Sequence, residues 1–197
     1  WTGQDLSGKR LLVWREEGIG DEVLFASLLP DFLKRWPCNV VFECSARLLP
    51  LLQRSLPDAA FQTEEGRVDA TGAADYHLPS GSLMMHVRPT LASYDGSTTF
   101  LVPDPTLVAD FTARLEVLGP EPKVGLSWES LNMSWAKRPR TSVFADILPL
   151  LAVKGVLFVN LQFGDVSHDL ARARTEFGVT IHDFSDLDLR NDLDGVA

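Results

Sequence analysis

Cysteine, methionine and tyrosine are all scarce in this chain, at 2, 3 and 2 of 197 residues. Two cysteines cannot build a disulfide framework, so a reducing, cytoplasmic setting is the expectation. Cys38 and Cys44 flank the run Asn39-Val40-Val41-Phe42-Glu43 and, along one extended strand, lie too far apart to bridge to each other. No apolar run approaches the roughly 18 residues of a membrane span. Basic residues are also in short supply, 18 Lys and Arg against 27 Asp and Glu for a net charge of −9. That balance argues against nucleic acid or an anionic membrane as the main partner. His77, His86, His168 and His182 show no metal-ligand spacing, so no metal is expected, and they read as surface or satisfied side chains. The polar opening Trp1-Thr2-Gly3-Gln4-Asp5 is unlike a signal peptide, and Trp1 in place of an initiator methionine suggests a piece of a longer chain. There is no internal repeat and no low-complexity tract.

What is present is an ordinary globular composition, 45% hydrophobic and 23% charged. Strand and helix patterns alternate, which predicts an α/β fold with a largely parallel sheet. Residues 11–14 form a short apolar run before a glycine turn, as in a strand covered on both faces. Leu24, Leu28, Phe32 and Trp36 then recur at helical spacing, with Phe25, Leu29 and Leu33 in a second row. Pro30 falls inside this pattern and predicts a kink. Further strands are expected at 40–44, 59–62 and 76–79 and helices at 46–56 and 106–118, the latter opened by Pro105. Gly119-Pro120-Glu121-Pro122 is the strongest boundary signal. Beyond it the pattern restarts, with strands at 123–128, 156–161 and 179–181 and helices at 144–153 and 170–177. Two domains are therefore expected, 1–119 and 120–197. The second carries about three strands where a doubly wound domain usually has about five or six.

The most informative stretch is Glu16-Glu17-Gly18-Ile19-Gly20-Asp21-Glu22, behind the first strand. In an open α/β sheet, ligands bind beyond the carboxyl ends of the strands. The Gly18-x-Gly20 pair is too little for a dinucleotide fingerprint, because its third glycine position is Val23. Asp21 and Glu22 would meet a pyrophosphate at the helix start, each contact costing about 4 kcal/mol at ~4 Å and an effective dielectric near ~20. A nucleotide-dependent oxidoreductase is disfavoured on that ground. Asp21 suits a general base facing a hydroxyl; an N-cap of its own helix is the alternative. Glu16 and Glu17 read as solvated loop charges.

The densest positive charge is Ser134-Trp135-Ala136-Lys137-Arg138-Pro139-Arg140-Thr141-Ser142, between the first strand and first helix of the second unit. Guanidinium forks together with a helix N-terminus suit a diphosphate; a solvated loop paired with the chain's many acids is the alternative. Trp128 and Trp135 are candidates for stacking on a ligand or for packing. Gln162, just past a strand, is a candidate cleft donor.

Residues 1–14 followed by Glu16-Glu17-Gly18-Ile19-Gly20-Asp21-Glu22 resemble the glycosyltransferase region of bacterial tetratricopeptide-repeat proteins, which is similar to heptosyltransferases of glycosyltransferase family 9. Gly20-Asp21-x-x-Leu24 resembles that family's G-D-x-x-L turn, and Arg140-x-Ser142 its R-S element. Residues 122–128 and 159–162 resemble the opening of its second domain. The resemblance covers most of the chain and implies a GT-B architecture: a Rossmann-like, acceptor-side first domain followed by a truncated second Rossmann-like unit on the donor side. It implies a nucleotide-diphospho-sugar donor, a saccharide or protein acceptor, and no cofactor. Asp21 would be the catalytic base, Lys137, Arg138, Arg140 and Ser142 would contact the donor diphosphate, and Gly18, Gly20 and Gln162 would line the cleft. It also implies tetratricopeptide repeats before residue 1 in the longer protein. The family's D-[ST]-x-x-x-H-x-A segment would fall beyond residue 197, so the isolated chain is expected to be inactive. A non-catalytic binding or scaffold module derived from such an enzyme is the rival expectation.

Overall fold

The computed structural model describes residues 1–16, 18–63, 74–94, 99–129 and 142–197. They form a mixed α/β structure with two parallel sheets. Two compact units divide the chain, Trp1–Asp104 and Pro105–Val196.

In the first unit, β1 (Arg10–Trp14) is the central strand. Leu11 and Val13 are fully buried and Leu12 nearly so, so both faces are covered and the strand needs no polar alternation. It pairs in parallel with β2 (Asn39–Glu43) from Arg10↔Asn39 to Val13↔Phe42. On its other side it pairs with β4 (Tyr76–Pro79), from Leu11↔Tyr76 to Trp14↔Pro79. β3 (Ala60–Gln62) closes the far edge, giving the order β3-β2-β1-β4. This order is compatible with a Rossmann-like fold, and its winding reverses between β1 and β4.

The expected kinked helix is instead two helices, α1 (Ile19–Ala26) and α2 (Leu29–Arg35). Pro30 sits in the first turn of α2, where its missing N–H is no loss. The break changes which side faces inward. Leu28, Leu29 and Phe32 are fully buried, whereas Leu24, expected on the same stripe, is about half exposed. Arg88 seals the break, donating to the Ser27 carbonyl at 3.3 Å and to Asp31 at 3.0 and 2.8 Å. After β2 comes α3 (Leu49–Ser55), shorter than the 46–56 expected. After β4 a single 3-10 turn (Ser80–Ser82) runs into α4 (Leu83–Val87).

The second unit opens with α5 (Pro105–Val117), which the Gly-Pro boundary signal had assigned to the first. The reason is a staple to the chain after the last strand. Phe111 meets Phe184 edge-on at 5.8 Å, and the Arg114 guanidinium lies 4.8 and 4.4 Å from these rings. Arg114 also donates to Asp186 at 2.6 Å. The sheet is β5 (Lys123–Leu126), β6 (Leu157–Asn160) and β7 (Ile181–His182), parallel throughout and in the order β5-β6-β7. The helix expected over 144–153 is one α turn, α6 (Phe144–Ile147), continued as a 3-10 segment (Leu148–Ala152) with Pro149 in its first turn. α7 (Ser167–Phe177) ends where Gly178 adopts φ +65°, a left-handed conformation that favours glycine, and Val179 N donates back to Ala173 O at 3.1 Å. A short α8 (Leu193–Val196) follows. Leu126, Trp128, Phe144, Leu151, Phe158, Ala173 and Ile181 make this unit's core. Among the described residues no helix is long and apolar enough to cross a membrane.

Candidate functional site

The carboxyl ends of β1 and β2 carry several charged side chains, and hydrogen bonds tie them to each other's loops and to the turn after β4. Gly18 caps α1 with an extended backbone (φ −99°, ψ 175°), and Asp21 stands in the first turn. Asp21 Oδ2 accepts the Gly18 N–H at 3.2 Å. Gly18, not Asp21, is thus the N-cap; Asp21 stands three residues on and accepts the cap's N–H through one oxygen, while Oδ1 has no hydrogen bond among the described residues. Gly20, expected in the cleft, lies within α1 and has open space where a Cβ would sit.

Two neighbours of Asp21 behave differently from the sequence expectation. Glu22, taken as a charge facing outward to repel phosphate, is completely buried. Its Oε2 accepts the Ser45 N–H at 2.6 Å, and its Oε1 meets the Arg15 guanidinium at 2.6 Å as an ion pair without hydrogen-bond alignment. It ties the end of β1 to the end of β2, and its charge is compensated, which removes it from the electrostatic argument against phosphate. The signal was in the sequence. Glu22 lies one helical turn before Ala26 on α1, and both are fully buried, so it belongs to that helix's inward face. Glu16, read as a solvated loop charge, accepts the Gly81 N–H at 3.0 Å and ties the end of β1 to the end of β4. Glu17 lies outside the described residues.

A second buried carboxylate, Glu43, receives the Gln62 side-chain amide at 3.4 Å. Cys44 follows it, also fully buried. Burial first, then the nearby negative charges of Glu22 and Glu43, push its thiol up to about 12 against the smaller opposing effect of Arg15. Cys44 is therefore neutral and inert at physiological pH. Both cysteines are free, and no group of His, Cys, Asp and Glu among the described residues could hold a metal ion.

In the second unit, Lys137, Arg138 and Arg140, with Trp135, lie outside the described residues. Ser142 is described, and its hydroxyl donates to the Trp128 carbonyl, bracing its own loop. The helix expected to aim free amides at a diphosphate is only the four residues of α6, and Asp146 Oδ2 takes up the Val143 N–H at 2.9 Å. Trp128 is a packing residue, 3% exposed and edge-on to Phe144 at 5.2 Å.

Gln162 is corrected in the same direction. Its side-chain oxygen accepts from Trp128 N, Glu129 N and Ser127 Oγ at 2.9, 2.8 and 3.2 Å. Its nitrogen donates to the Glu129 and Phe163 carbonyls at 2.9 and 3.1 Å. Every polar atom of the amide is thus engaged within the protein, and Gln162 clamps the loop after β5. Asn160 plays a similar part, joining the ends of β6 and β7 through Asp183 at 2.8 Å.

Beyond these strand ends lies a cavity of about 400 Å³, lined by Gly164, Asp165, Ser167, Asp183, Phe184 and Asp188 among others. The Ser167 hydroxyl and N–H bonding Asp165 hold that carboxyl below its ordinary range, and Asn191, with the Arg190 N–H, does the same for Asp188. Both acids are ionised at neutral pH, so the cavity is acidic and sits beside the N-terminus of α7.

FlbA of Caulobacter vibrioides is similar to this chain, 39% identical over 211 residues that take in the whole chain and 35% of FlbA. The chain thus spans about a third of the length of that curated relative. No family model matches the chain, and no solved structure does.

Proposed function

We propose that this chain is part of a GT-B-type glycosyltransferase, similar to heptosyltransferases, that moves a sugar from a nucleotide-diphospho-sugar to a saccharide or protein hydroxyl. The observation that carries the reading is the position of Asp21, in the first turn of the helix that leaves β1, where the order β3-β2-β1-β4 reverses. Ligands of open α/β sheets bind at such a reversal. Asp21 Oδ1 accepts the acceptor hydroxyl's proton as that oxygen bonds to the anomeric carbon. The bond from that carbon to the diphosphate breaks, and the nucleoside diphosphate leaves, with inversion. Lys137, Arg138 and Arg140 offset the charge that grows on the leaving group. The nucleoside end fits the cavity beyond β6 and β7, whose ionised acids suit ribose hydroxyls.

The rival reading is a non-catalytic binding module. It is favoured by the internal engagement of Gln162 and Ser142 and by the short, acid-capped α6. Calorimetric titration of UDP-, ADP- and GDP-sugars into the full-length protein separates the two. Saturable binding of one of them supports the enzyme, and no binding of any supports the module.

A further inference from the structure

We infer that Glu16 is a positioning residue that sets the width of the crevice in which Asp21 stands; the inference rests on the glycosyltransferase reading. β1 and β4 lie side by side as far as Trp14↔Pro79, and the chain segments that leave them form the two walls of the winding reversal. The Glu16 carboxylate bridges those walls by accepting the Gly81 N–H at 3.0 Å. The bridge depends on glycine. A Cβ at position 81 would sit 3.1 Å from the Phe25 ring and 3.2 Å from Glu16 Oε2, tighter than ordinary contact. Phe25 belongs to α1, the helix that carries Asp21 in its first turn, so the 3-10 turn Ser80–Ser82 is pinned against the element bearing the base. Beneath the bridge, Ser80 is fully buried with a hydroxyl that has no hydrogen-bond partner among the described residues. The turn's own buried hydroxyl therefore adds no hydrogen bond that would hold it, and the Glu16 carboxylate is its polar tie to the end of β1, beside the packing against Phe25. Glu16 acts on the reaction through the wall it fixes.

Two measurements test this. In the 197-residue chain, amide exchange at Gly81 should quicken about tenfold in Glu16→Ala, the loss expected for one hydrogen bond, and stay slow in Glu16→Gln, whose amide oxygen still accepts. In the full-length protein, hydrolysis of UDP-glucose, ADP-glucose and GDP-mannose uses water as the acceptor and needs no identified partner. There Glu16→Ala should lower kcat on the order of 10- to 100-fold with the donor KM unchanged, and Glu16→Gln should restore it. Gly81→Ala, which crowds Phe25 and Glu16, should resemble Glu16→Ala. Unchanged Gly81 exchange in Glu16→Ala would overturn the bridge. Active wild-type protein with an equally active Glu16→Ala variant would overturn the positioning role alone. A wild type that hydrolyses none of the three donors would remove that role together with the reading beneath it, while the exchange data still decide the bridge.

Discussion

At the scale of single residues, three acids within seven positions, Glu16, Asp21 and Glu22, have three different fates. Asp21 stays half-buried in the first turn of α1, Glu22 turns into the core, and Glu16 reaches across to another loop. Removing one partner of a buried ion pair leaves the other uncompensated, so Glu22→Ala should lower unfolding free energy by about 3 kcal/mol, with the Ser45 amide also left unsatisfied. Urea denaturation read from first-unit signals measures this, and a loss no larger than a surface substitution gives would contradict the assignment. Cys44 makes a second test. Its thiol is raised to about 12, so in the folded protein it should resist alkylation at mildly alkaline pH while half-buried Cys38 reacts first. The sign of the linked stability follows. In the unfolded chain the thiol ionises from its ordinary value upward, whereas in the folded chain it stays protonated. The Cys44 contribution is therefore fully present below that ordinary value and is lost as pH rises toward about 12. Thermal unfolding of wild type against Cys44→Ala across alkaline pH reads it directly.

At the scale of elements, the strands were the legible part. The apolar runs of β1, β2 and β6 are of strand length and bounded by turn signals, which suits strands covered by packing, and Tyr76–Pro79 ends at its proline. The helices were less so. Continuous helical spacing through residues 24–36 hid a break, because Leu28 and Leu29 serve equally well on one long helix or at the start of a second. Pro30 was the available clue, and it marks a beginning rather than a bend. Pro30→Ala should accordingly change stability by no more than about 0.5 kcal/mol, whereas a proline inside a continuous helix would gain about 3 kcal/mol on removal. Equilibrium unfolding of the variant decides between them. The helix over 144–153 failed for a related reason, with Pro149 dividing it into an α turn and a 3-10 segment.

For the whole molecule, the α/β alternation and the presence of two units were readable from pattern alone, but not where they divide. Gly119-Pro120 marks a turn, yet α5 before it is stapled by Arg114 and Phe111 to the chain near Asp186, a partnership of residues far apart in sequence that local pattern cannot carry. The candidate site was legible in part. The Gly18–Asp21 turn follows the carboxyl end of β1, as the first strand and glycines implied, while Gln162 and Ser142 are taken up by their own loop. Only a partner's hydrogen-bonding needs decide whether an amide or a hydroxyl faces a ligand, and those needs are set by backbone that the motif does not include. The central claim is that Asp21 removes a proton from an acceptor hydroxyl. Its most direct test is sugar transfer or donor hydrolysis by the full-length protein carrying Asp21→Asn, which retains an oxygen able to cap Gly18. The account predicts an unchanged fold and a loss of about 10²–10⁴ in kcat; a variant that turns over at the wild-type rate would contradict it.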